Sequence, residues 1–380
     1  MASEMLYPIM PIYLKSIGFS IVLIGILEGV AEAIAGLSKG YFGKLSDNTG
    51  RQAPFIQIGY ALSAISKPMM ALFIYPLWIF FARTIDRLGK GIRTGARDAK
   101  LSDEATAENK GKIFGFHRSM DTLGAVIGPL LALLYLWYFP EDYKTLFIVA
   151  FVPGFIAVLA SLYIKDKKKS VLIKGKKVKL FSFINYWKES PLIYRKVVVG
   201  LLVFTLFNSS DVFLLLKAKQ SGLNDQMVIG AYIFYNLIYA LFAFPVGIIA
   251  DRIGLKTIMI IGLLLFSIVY FGMAVTESKF IYFILFFIYG LYAAATEGIS
   301  KALISNIIDK KDTATAIGTF SGFQSICTMI ASTMTGFVWY KFGFKVAFIA
   351  STVAAVLVAF YFITSVKIPS IDNGKKIKTM

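Results

Sequence analysis

The chain has 380 residues, of which 57% are hydrophobic and only 16% charged, with a mean hydropathy of +0.70. A soluble chain carries about 25% charged residues, so this composition excludes an ordinary water-soluble globule. The formal charge of +18 would suggest nucleic acid in a soluble protein, but in so apolar a chain the position of the cations matters more than their sum.

A short apolar piece at 5–18 is followed by apolar segments at 21–38, 54–75, 76–94, 113–138, 145–164, 197–216, 227–250, 257–276, 279–305, 314–340 and 346–366. A membrane span needs roughly 20 apolar residues, so the pattern predicts an all-α membrane protein with twelve helices. The single cysteine, Cys327, excludes an internal disulfide and a cysteine-cluster metal site. The first residues lack the basic start and small-residue cleavage pattern of a signal peptide.

When the connections alternate between the two sides, one side collects 30 of the 40 lysines and arginines. Basic connections stay in the cytoplasm, so the expectation is a multi-pass cell-membrane protein with both termini cytoplasmic. The longest connection, 165–196, is rich in lysine and divides the segments six and six. The expected organisation is a six-helix bundle over 1–164, a basic linker over 165–196, a second six-helix bundle over 197–366 and a basic tail over 367–380. The linker is suited to anionic lipid headgroups, and no aromatic-interleaved pattern points to nucleic acid.

The two halves repeat. Gly18, Gly43, Asp47, Gly50 and Arg97 match Gly222, Gly247, Asp251, Gly254 and Lys301, all displaced by 204 positions. Repeated halves are characteristic of transporters. Against this repeat, the first helix is expected to be truncated by roughly ten residues of a full span.

Two connections carry a shared motif, GKLSDNTGR at 43–51 and GIIADRIGLK at 247–256. Gly43 and Gly247 permit close helix approach, Gly50 and Gly254 a tight reversal, and Asp47 and Asp251 can stabilise a helix terminus. Arg51 and Arg252 add fixed positive charge. These segments resemble the Gly-x-x-x-Asp-(Arg/Lys)-x-Gly-(Arg/Lys) loop signature of the major facilitator superfamily, with Asn48 in place of a basic residue in the first copy. The resemblance implies a twelve-helix fold of two pseudo-symmetric bundles, with these loops as a latch between them. It also implies secondary transport of a small molecule by a monomer, with no enzymatic activity or cofactor.

The fourth segment and its extension place Arg83, Asp86, Arg87, Lys90, Arg93 and Arg97 on one helix face. Such a stripe is too costly to face lipid. Arg83 resembles the family's arginine linked to proton coupling, although Arg87 stands where the pattern has glycine. In the second segment Glu28 and Glu32 lie one turn apart, as proton carriers or as partners of a cation such as Lys67. Glu4 is a further candidate in the first segment. In the fifth, His117 or Arg118 can pair with Asp121, and Gly124, Gly128 and Pro129 resemble part of the superfamily's antiporter motif.

The second half offers Asp211, Tyr235, Asn236 and Tyr239 as cavity residues, and Glu297 with Lys301 as a pair four residues apart. The expected activity is proton-coupled export of an anionic or zwitterionic metabolite or drug. Proton-coupled uptake of a sugar or metabolite, and a non-transporting sensor or scaffold, are the alternatives.

Overall fold

The computed structural model describes residues 1–7, 9–19, 21–166 and 182–367. The centre of the basic linker, the tail beyond 367, and the side chains of Glu28 and Glu32 lie outside the described residues.

Among the described residues the architecture is entirely helical. The first half comprises α1 (Ala2–Leu6), α2 (Met10–Ser16), α3 (Ile21–Thr49), α4 (Ala53–Leu72), α5 (Pro76–Asp103), α6 (Lys110–Tyr138) and α7 (Tyr143–Leu162). A short α8 (Ser182–Glu189) leads to α9 (Leu192–Phe207), α10 (Val212–Gln220), α11 (Asp225–Ile253), α12 (Leu255–Val275), α13 (Lys279–Asn306), α14 (Thr313–Phe342) and α15 (Phe344–Ser365). Shifting α3 by 204 positions lands it on α11, and the same shift carries α6 onto α14.

The first and seventh expected helices are each broken in two. In the second half the break covers Asn208–Asp211, where Ser210 N–H donates to Ser332 Oγ at 3.3 Å and Asn208 Nδ2 to Tyr292 OH at 2.8 Å. Side chains of neighbouring helices thus meet polar groups at the break, the condition for interrupting a helix at membrane depth. The α1–α2 pair runs from residue 2 to 16, against 192 to 220 for α9–α10.

Two helices run well past their apolar segments. Helix α3 continues to Thr49 and α5 to Asp103, because their polar ends pack, half-buried to buried, against other helices rather than being released into water. Among the described residues seven stretches are long and apolar enough to cross a membrane by length and composition, including α6, α7, α12 and α15. The usual inside–outside distribution is inverted: Trp137 and Tyr340 are 83% and 91% exposed while Lys67 is 1% exposed. An apolar exterior around buried charge is what a lipid environment favours.

The halves meet along two related seams, α6 against α11 and α3 against α14. Gly111 and Gly247 face each other across the first seam so closely that a Cβ on either would collide with the other's carbonyl oxygen. Gly124 and Gly128, by contrast, pack inside the first half, against Met1 and Met5 of helix α1 and its start.

Candidate functional site

At one end of the bundle the two motif aspartates reach across the seams. Asp47 accepts from Thr315 N–H at 2.6 Å, Thr315 Oγ1 at 2.7 Å and Ala314 N–H at 3.3 Å. Asp251 accepts from Gly111 N–H at 2.6 Å and Lys112 N–H at 2.7 Å. Both carboxylates therefore sit on the first turn of a helix in the other half, where amides have no intrahelical acceptor and the helix dipole favours negative charge. Gly43 lies against the Ala314 carbonyl, and Gly50 and Gly254 have φ of +63° and +101° at the reversals that follow. Arg51 and Arg252 are both exposed at the same end.

A second group of charges is contained within the first half. Lys67 Nζ on α4 lies 2.5 Å from Asp86 Oδ1 on α5 and 3.1 Å from Ser3 Oγ. Arg83 Nη1 is 3.8 Å from Asp86 Oδ2, and both residues are buried. Arg87 is half-buried one turn further along the same helix. Arg93 donates to Ser63 Oγ at 2.8 Å and lies over the Tyr60 ring. Helices α4 and α5 belong to one half, so the Lys67–Asp86 pair makes no bridge between the halves.

The third group spans the halves. Arg118 on α6 binds Asp121 Oδ2 at 3.1 Å and Glu297 Oε2 at 3.4 Å, and its Nε donates to Tyr239 OH. Of the two local partners open to Asp121, the arginine three residues back is the one paired; His117 is half-buried beside it. On the latch side of this cluster, Asp98 accepts from Lys301 Nζ at 2.7 Å and Arg97 Nη2 at 3.0 Å. The expected Glu297–Lys301 pair is thus not formed. Each reaches an opposite charge in the first half instead, because α13 turns that face toward α5 and α6.

The second half contributes a more neutral wall. Asp211, at the break between α9 and α10, accepts from Tyr235 OH and from Ser210 Oγ at 3.3 Å. Asn236 is satisfied by its own helix, donating to Tyr232 O at 3.0 Å. Glu4 is half-buried on α1.

Two residues absent from the sequence-based set, Asp98 and Asp166, enter this geometry, and Arg118 enters it with partners beyond the local one that the sequence offered. Arg118 was visible only as a neighbour of Asp121. Asp98 was hidden in a basic stretch, although it sits beside Arg97, the repeat partner of Lys301. Asp166 accepts from Gln52 N–H and Ala53 N–H, both at 3.0 Å, and so caps α4 from the far end of α7. A contact over more than a hundred positions leaves no local signal.

The family model described as Major Facilitator Superfamily matches residues 1–235 and 213–379. An MFS-type transporter of Methanocaldococcus jannaschii is 31% identical over 363 residues, covering 94% of this chain and 89% of the relative. A multi-drug resistance efflux pump PmrA homolog of Lactococcus lactis is 20% identical over 355 residues, covering 89% and 85%. Among solved structures, the transporter FucP in its outward conformation superposes with a TM-score of 0.78 at 12% identity, covering 95% of this chain and 94% of that one. With repeated halves, paired aspartate caps across both seams and a family match along its length, the chain belongs to the major facilitator superfamily and is a multi-pass membrane transporter.

Proposed function

We propose that this transporter exports a small anionic or zwitterionic organic solute by alternating access, in exchange for protons. The observation that carries the reading is the position of the cross-half bonds. Those of Lys39, Asp47, Asp98, Lys110, Arg118, Ser119 and Asp251 all lie in the latch-proximal parts of their helices. A seal at one end, with partly exposed charge beyond it, is the arrangement of one state of an alternating-access cycle.

The basic connections assign the sealed end to the cytoplasm. In this reading units 1–164 and 197–366 rock as a monomer, and the linker faces anionic headgroups. Export is supported by the relative named as an efflux pump. The substrate class rests on the cluster of Arg97, Arg118, Lys301, Asp98, Asp121 and Glu297, whose opposite charges balance and can divide between the two ends of a zwitterion.

The test is a thermal-shift screen over organic anions, amino-acid-like zwitterions, sugars and cationic drugs, followed by flux in proteoliposomes under an imposed pH gradient. Stabilisation by charged solutes, with gradient-driven flux, is expected. Hits confined to sugars, accumulated by symport, would replace export with uptake.

A further inference from the structure

A carboxylate that couples protons to alternating access must be held differently in the two states. Beside a guanidinium the ionised form of a carboxylate is favoured, and in a desolvated site without a counter-charge the neutral form is favoured. Ion pairs made inside one half do not alternate in this way. That excludes Asp86, held by Lys67 and Arg83, and Asp121, held by Arg118 of its own helix.

Two described ion pairs bridge the halves at this level: Asp98–Lys301 and Glu297–Arg118. The Asp98 side chain is 1% exposed and keeps Arg97 from its own half whatever Lys301 does. The Glu297 side chain is 38% exposed, and its ion-pair partner among the described residues, Arg118, belongs to the other half.

The groups around Glu297 reinforce the contrast. From α6 it faces Arg118, with Asp121 and His117 nearby; from α11, Tyr239; from α5, the Asp98–Arg97 pair, already bound to Lys301 one turn along α13. On its other side a polar cavity of ≈ 30 Å³ is lined by Asn208, Tyr292, Thr296, Ser300 and Gln324, with no formal charge besides Glu297 itself. That is room enough for a water molecule, and it holds nothing to replace the guanidinium.

We propose that Glu297 is the residue that takes up and releases the coupled proton, and that Arg118 is the positioning residue that ties its ionisation to closure of the latch end. The inference rests on the proton-coupled reading above, but it concerns one group and is tested without a substrate. A proton arriving from the open side adds to a Glu297 carboxylate oxygen and turns the ion pair into a neutral acid beside a cation, which weakens the bridge between α6 and α13. When the latch end has opened, the proton leaves to water on that side, and the restored carboxylate draws Arg118 back.

The experiment follows the latch end directly. In a Cys327→Ser background, nitroxides at Glu108→Cys and Lys311→Cys, both exposed on equivalent connections of the two halves, report their separation by double electron–electron resonance. In wild type the closed fraction falls as the pH is lowered from about 8 to about 5. Glu297→Gln holds the closed fraction at the wild-type acidic level throughout and abolishes the response. Arg118→Gln does the same, and Arg118→Lys restores part of it. Asp121→Asn, which leaves Glu297 the sole acid on Arg118, keeps the response.

Melting temperatures of each variant separate loss of fold from loss of response, and Glu297→Asp, which keeps a carboxyl group, retains a pH dependence. An unchanged pH response in Glu297→Gln overturns the assignment, as does a wild type whose latch ignores pH. Failure of the transport reading shows elsewhere, as absence of solute flux in proteoliposomes while this intramolecular response persists.

Discussion

Asp47 and Asp251 stand 204 positions apart in the sequence, and each rests on the first turn of a helix in the opposite half. The bonds they make are to backbone amides that no other helical group can satisfy, so the latch is held by helix termini rather than by side-chain pairs. Asp47 receives two such bonds and a third from the Thr315 hydroxyl, whereas Asp251 receives two. Asp47→Ala is therefore expected to weaken closure of this end by about 1–2 kcal/mol, and Asp251→Ala by somewhat less. Labelling of cysteines at the latch end should rise in both variants, in that order; equal labelling in variants and wild type would show that the caps do not hold the seal.

The buried Lys67–Asp86 pair is expected to act on stability rather than on the transport cycle. Removing one partner strands a charge among apolar neighbours, so Asp86→Asn or Lys67→Met should cost about 3–5 kcal/mol. The double variant Lys67→Met/Asp86→Leu should regain much of that loss, because two apolar groups leave no stranded charge. Thermal unfolding of the three proteins in detergent checks the order. A double variant no more stable than the singles would mean the pair does more than neutralise itself.

Asp98 holds two cations while Lys301 holds one carboxylate. Asp98→Asn leaves Arg97 and Lys301 facing each other without a counter-charge, whereas Lys301→Met leaves Asp98 still paired with Arg97. The first is expected to lower both stability and flux more than the second. Comparable melting points and rates for the two variants would contradict this asymmetry.

Glycine substitutions should separate strain from closure. Gly222 has φ of +91°, a conformation that opposes an L side chain, so Gly222→Ala should lower stability by about 1–2 kcal/mol with flux per folded molecule preserved. Gly247→Ala introduces a methyl against the Gly111 carbonyl across the α6–α11 seam. It should leave each half folded but hold the latch end apart, raising its labelling and slowing turnover. A Gly247→Ala variant with wild-type labelling and turnover would show that the seam can yield by the needed distance.

How much of this could be read in advance follows the range of each interaction. Helix number and the division into halves rest on runs of apolar residues and on a constant offset, which are properties of consecutive positions. The aspartate motifs were legible for the same reason, since their glycines and acids lie within one connection. The extension of α5 was legible from the charged stripe that continues on one face to Arg97, whereas that of α3 to Thr49 was not, because local polarity suggests an end wherever a distant helix is not seen to cover it.

By itself the sequence determined a membrane bundle, its internal repeat, the paired loops of one end and the helix that carries a stripe of charge on one face. Only the tertiary structure decided which charges meet: Glu297 parts from Lys301 to take Arg118, Lys301 joins Arg97 on Asp98, and Lys67 closes on Asp86. The physical reason is that apolar patterning fixes which segments leave water, whereas a charge brought into a bundle must find its counter-charge on whichever helix packing sets beside it, at any distance along the chain.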